Sequence, residues 1–78
     1  MYDLKSKAII ITGGAGLLGS RIVRIILEHG GIPIIFDNNK VKINKLKKIL
    51  KEKINLVHFY KVDITKKKQL KNVMTKIH

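Results

Sequence analysis

Ala8-Ile9-Ile10-Ile11-Thr12-Gly13-Gly14-Ala15-Gly16-Leu17-Leu18-Gly19 is the stretch that decides the fold. Ala8 to Thr12 is an unbroken run rich in β-branched residues, the composition of a parallel strand buried on both faces. The glycines then break it, and from Leu17 to His29 the pattern turns helical. Leu18, Ile22, Ile25 and Ile26 can share an inner face, while Arg21, Arg24 and Glu28 point outward. Gly30 and Gly31 supply the stop, since glycine tolerates the left-handed conformation at a helix end. The spacing Gly14-x-Gly16-x-x-Gly19 is weak by itself, because glycines often end strands. Its position between a buried strand and an amphipathic helix makes it stronger. Glycine there lets the chain turn tightly, lets backbone N–H groups approach a pyrophosphate, and lets the helix pack close to the strand. The first turn of the helix adds unpaired N–H donors and a partial positive charge.

Outward from this stretch the alternation repeats. Ile32 to Phe36 is a second apolar run, with Pro33 near its start, where a missing N–H is tolerated. Asp37-Asn38-Asn39 closes it and offers capping side chains to a second helix from about Lys40 to Lys53, with Ile43, Leu46, Ile49 and Leu50 inward. Asn55 to Val62 reads as a third strand. Asp63-Ile64-Thr65 ends it, and Thr65 can cap a third helix on which Leu70, Val73, Met74 and Ile77 form one face. Strands alternating with helices imply an α/β fold with a parallel sheet and right-handed crossovers. The expected sheet has three parallel strands in the order 3-2-1, the first two helices on one face, and residues 1–78 forming one partial dinucleotide-binding domain. Asp37 ends the second strand about 20 residues past the glycine turn, where an acid accepts hydrogen bonds from the adenosine ribose. A carboxylate there repels the extra phosphate of NADP, so NAD is the favoured cofactor.

Thr12-Gly13-Gly14-Ala15-Gly16-Leu17-Leu18-Gly19 resembles the cofactor signature of the short-chain dehydrogenase/reductase family, whose nucleotide-binding portion is a Rossmann fold. Asp63-Ile64-Thr65 is similar to that family's acidic turn after the third strand, which contacts adenine. The resemblance covers nearly the whole chain, and its motifs belong to the cofactor half. It implies a cofactor-contacting set of Gly13, Ala15, Gly16, Leu17, Leu18, Gly19, Asp37, Asn38, Asp63 and Ile64. The Thr-Gly-x-x-Gly-x-x-Gly spacing is like the extended subtype, which includes nucleotide-sugar epimerases and dehydratases. The leader Leu4-Lys5-Ser6-Lys7 is more similar to the single-domain dehydrogenases. The family's Tyr-x-x-x-Lys catalytic pair is missing, because Ser6 stands four residues after Tyr2 and Ile64 four after Tyr60. No catalytic residue and no metal-ligand cluster is therefore assigned. The expectation is a truncated oxidoreductase portion, incompetent alone, or one piece of a split enzyme.

Composition sets the remaining bounds. A chain of 78 residues buries only about 60–65% of its unfolded surface, so stability is marginal. The absence of cysteine excludes disulfides and makes a reducing cytoplasm the expected compartment. The run Ala8 to Ile11 is far too short to cross a membrane. A net charge of +12 allows a basic nucleic-acid-associated module as the competing class. Lysine outnumbers arginine fifteen to two, however, and base-stacking aromatics are scarce, which favours lysines that solvate helix surfaces. The expected partners are the dinucleotide and, through the bare edge of Ala8–Thr12, either a missing C-terminal half or a second copy.

Overall fold

The computed structural model describes residues 4–13 and 15–77. Gly14, Tyr2 and His78 lie outside the described residues, as does the side chain of Ile77. Strand β1 (Ala8–Thr12) leads through the glycine turn to helix α1 (Leu17–Glu28), and β2 (Ile32–Asp37) to α2 (Lys40–Leu50). A 3-10 segment, Lys51–Leu56, precedes β3 (His58–Lys61) and α3 (Lys67–Ile77). All pairing is parallel and β2 is central, which is the expected 3-2-1 order. Pairing of β2 to β3 begins at Ile34, one residue beyond Pro33.

Alternate residues of β2 supply two cores. Ile35 faces α1 and α2, where it joins Ala15, Val23, Ile43, Leu46 and Leu50. Ile34 and Phe36 face the other way, toward Val62, Val73 and Leu70 of the α3 layer. Phe36 and Tyr60 meet edge-to-face, with centroids 5.9 Å apart at 83°, a geometry the ring quadrupoles favour. The helix stop after α1 is a Schellman motif. Gly30 sits at φ 78°, Gly31 N–H donates to Ile26 C=O, and Gly30 N–H donates to Leu27 C=O.

Five local expectations are corrected. The inner face of α1 is Gly19, Val23 and Ile26, not Leu18, Ile22 and Ile25, which are exposed. Gly19 is buried but carries no apolar side chain to mark the face. Secondly, β1 is not covered on both faces: Ala8, Ile10 and Thr12 are exposed, because α3 packs over β2 and β3. Ile49 is exposed, and α2 ends at Leu50, where Lys51 takes φ 52° and the chain tightens into the 3-10 segment. That segment takes up Asn55 and Leu56, so the third strand is His58–Lys61 rather than Asn55–Val62. Thr65 does not cap α3; its hydroxyl and N–H both donate to the Asp63 carboxylate.

These faces predict opposite outcomes at adjacent positions. Ile26→Ala, at a site 4% exposed, should cost about 2–5 kcal/mol by cavity formation. Ile25→Ala, at a half-exposed site, should stay within about 0.5 kcal/mol. Urea denaturation of both variants measures the difference, and equal losses would contradict the observed helix rotation.

Candidate functional site

The site forms where the carboxyl ends of the strands meet the start of α1. Parallel pairing runs one residue past β1, as Gly13 N–H donates to Phe36 C=O at 2.7 Å. Gly13 then adopts φ +64°, a conformation open to glycine at no steric cost. The turn closes with Gly16 N–H on Gly13 C=O, and Gly16 becomes the N-cap of α1 without a side-chain cap. The first-turn N–H groups of Leu17, Leu18 and Gly19 have no intrahelical acceptor by construction. Those donors point out of the carboxyl end of the sheet.

Asp37 joins this turn to the end of β2. Its Oδ2 accepts from Ala15 N–H at 3.3 Å and its Oδ1 from Asn39 N–H at 2.9 Å. The residue is buried. A carboxylate has about four acceptor sites, so these bonds leave two for an incoming hydroxyl. Asn39, not Asp37, caps α2, accepting from Lys42 N–H at 3.1 Å.

Of the residues expected from the sequence, Gly13, Asp37, Asn38, Asp63 and Ile64 line one cleft of about 220 Å³. Ala15, Gly16 and Leu17 line a neighbouring hollow of about 280 Å³, together with Ser20, Lys42 and Lys45. Leu18 is an exposed side chain in neither, and Gly19 is buried beneath α1. Phe36, Val62 and Thr65 also line the cleft; none was in the expected contact set, although Thr65 closes the expected acidic turn. The first two are strand-end apolar residues, indistinguishable in sequence from core. The signal for Thr65 was its two-residue spacing from Asp63, which favours a local side-chain turn. Asp63 is held below the ordinary 3.8 by hydrogen bonds from the Thr65 hydroxyl and N–H, with a smaller contribution from Lys66. Tyr60 packs against Phe36 but does not itself line this cleft.

The turn has room for a bound group. A Cβ on Gly13 would meet no atom within 4 Å, and one on Gly16 would meet only Gly13 O at 3.7 Å. Gly16 has φ −77°, so neither strain nor packing inside the chain requires glycine there. The open space beside the turn, lined by backbone donors, fits close approach of a pyrophosphate.

A family model described as short chain dehydrogenase matches residues 7–78. The chain belongs to the short-chain dehydrogenase family. Among relatives, UDP-glucose 4-epimerase 2 of Arabidopsis thaliana is 30% identical over 90% of this chain and 21% of its own length. Short-chain dehydrogenase reductase 3a of the same plant is 33% identical, covering 91% of this chain and 27% of its own. Bifunctional protein GAL10 of Candida maltosa is 34% identical over 85% and 44%. The crystal structure of Cj0485 dehydrogenase superposes with a TM-score of 0.73 and 32% identity, over 97% of this chain and 29% of that one. This short-chain dehydrogenase chain thus spans less than half the length of each of these relatives. The family uses NAD(P), and the chain carries its Rossmann-type portion.

The lowered Asp63 pKa has a definite sign. A depressed carboxyl favours the fold above 3.8, and that contribution disappears as pH falls through the folded-state value. Thr65→Val, which removes one donor, should raise the Asp63 pKa back toward the ordinary value. Carboxyl-carbon NMR titration reads it directly, and an unmoved midpoint would refute the assigned cause.

Proposed function

We propose that Gly13, Ala15, Gly16, Leu17, Leu18 and Gly19, with Asp37, Asn38, Asp63 and Ile64, bind NAD, the chain acting as the cofactor-binding portion of an oxidoreductase. The observation that carries this reading is the open turn at Gly13 and Gly16, hydrogen-bonded through Ala15 to a buried acid at the end of the neighbouring strand. The backbone donors of Leu17, Leu18 and Gly19 receive the pyrophosphate, aided by the α1 dipole. The remaining acceptor sites of Asp37 take the ribose hydroxyls. Asp63 and Ile64 border the adenine, Asp63 held in place by Thr65. Bound NAD supplies the hydride-accepting ring.

The preference for NAD over NADP rests on Asp37, whose buried charge opposes a 2′-phosphate. Lys42 and Lys45, beside Ala15 and Gly16, are the groups that would attract one. Both are exposed and screened by water and salt, so Asp37 dominates. A cytoplasmic setting suits a cysteine-free chain of this kind. The resemblance to a UDP-glucose 4-epimerase supports a nucleotide sugar as the substrate class of the whole enzyme, with a simple alcohol as the second reading.

Calorimetric titration tests cofactor binding. Asp37→Ala should weaken NAD binding by about 1–3 kcal/mol, the scale of charge-assisted hydrogen bonds. Gly16→Ala should abolish most binding while costing no more than about 1 kcal/mol of stability. NADP binding as tight as NAD, or an unaffected Gly16→Ala variant, would overturn the reading.

Turnover is a separate matter. Moving the hydroxyl proton by general acid–base catalysis is worth about 10²–10⁴ in rate, and no Tyr-x-x-x-Lys pair occurs in these 78 residues. The purified chain is expected to form no NADH from a panel of alcohols and nucleotide sugars. Measurable turnover would refute the claim, and activity gained only on adding a second polypeptide would favour a split enzyme.

A further inference from the structure

The turn after β3 borders the cleft, and its backbone donors can be accounted for one by one. Val62 N–H donates to Asp37 C=O, and Lys66 N–H closes a tight turn on Asp63 C=O. Thr65 N–H donates to the Asp63 carboxylate. Asp63 N–H donates out of the turn, to the Gln69 side-chain oxygen at 3.1 Å. Among the described residues, Ile64 N–H is then the one donor from Val62 to Lys66 without an acceptor. Ile64 lines the cleft.

Gln69 does more here than cap its own helix. Lys66 C=O accepts from Leu70 N–H, so Lys66 is the N-cap of α3 and Gln69 its third helical residue. A glutamine at that place ordinarily reaches back to the N-cap N–H, but the Lys66 N–H is already on Asp63 C=O. Gln69 reaches past it to Asp63. Only the amide oxygen can accept an N–H, so this contact also fixes which way the amide faces. Each peptide unit is planar, and both planes flanking Asp63 are thereby held. Gln69 fixes the one that carries Asp63 N–H, and Lys66 fixes the one that carries Asp63 C=O and Ile64 N–H. The carboxylate that leaves from between the two planes keeps a set spacing to the Ile64 donor. Both Thr65 bonds go to Oδ1, which leaves Oδ2 as an acceptor.

We propose that Gln69 is a positioning residue for recognition of the nucleotide base, acting through Asp63 to hold a carboxylate acceptor and a backbone donor beside one another at the cleft. The inference rests on the dinucleotide reading above and adds to it a residue outside the cleft lining. An acceptor next to a donor matches a base edge that presents an amino group next to a bare ring nitrogen, as adenine does. Hypoxanthine carries a carbonyl and a ring N–H at those two positions. It would set acceptor against acceptor and donor against donor. Discrimination between the two bases therefore depends on the spacing that Gln69 maintains.

Calorimetric titration with NAD and with nicotinamide hypoxanthine dinucleotide tests the assignment on the full chain, unmodified and as Gln69→Leu, Gln69→Asn and Gln69→Glu. Leucine removes the acceptor at similar helix propensity, asparagine withdraws it by one methylene, and glutamate keeps an oxygen at the same reach. Gln69 is exposed, so the variants should fold, which circular dichroism checks. The unmodified chain is expected to prefer NAD. Gln69→Leu and Gln69→Asn should each bind NAD about fivefold more weakly and bring the two dinucleotides toward equal affinity, while Gln69→Glu keeps the preference. Exchange of the Asp63 amide should quicken in the first two variants and not in the third. Equal weakening of both dinucleotides would indicate a structural role only and overturn the proposal. So would an unchanged preference in Gln69→Leu and Gln69→Asn, or a Gln69→Glu variant that behaves like them. An unmodified chain that binds neither dinucleotide would overturn the reading beneath it, and this assignment with it.

Discussion

The hydrogen bond from Gly13 N–H to Phe36 C=O is the constraint on which the site depends. It extends the β1–β2 ladder one residue beyond the strand, fixing where the chain must leave the sheet. The left-handed Gly13 follows at once, and the turn delivers Gly16 to the N-cap of α1. The same ladder positions Asp37, the residue after Phe36, so that its carboxylate reaches back to Ala15. Strand pairing, turn and acid are therefore one unit. Movement in the ladder would displace the first-turn N–H groups of α1 and the Asp37 carboxylate together.

Burial tightens that unit. No buried side-chain nitrogen or oxygen among the described residues lacks a partner. Asp37 meets this requirement through backbone N–H groups on both sides of the site. A charged group held by backbone donors is costly to displace, because the donors cannot follow it. The acid is thus a structural tie between the glycine turn and the end of β2. Its Asx contact to Asn39 also sets the approach to α2.

The architecture and the glycine turn between β1 and α1 were legible in the sequence because they rest on features with few alternatives. A β-branched run, glycines at fixed spacing and an acid at the end of the next run leave little freedom. The face of α1 was not legible. Leu17, Leu18, Ile22, Val23, Ile25, Ile26 and Leu27 satisfy more than one helical stripe, and the true stripe starts at a glycine. The third strand was overextended because Leu56 and Val57 are apolar in either setting, and nothing in composition announces the left-handed Lys51. Gathering Asp63, Ile64 and Thr65 beside Asp37 and Asn38 needed the sheet order itself, since those residues share no local pattern.

The ladder registers have a kinetic consequence. Ala8 pairs with Ile32 and Ile34 with His58, each 24 positions apart, and every other pair in the two ladders keeps that separation. Closing either βαβ loop therefore carries nearly the same entropic cost, since that cost varies only with the logarithm of length. Neither ladder has a head start, and both need β2. β1 and β3 share no ladder, so the sheet cannot assemble without the middle strand.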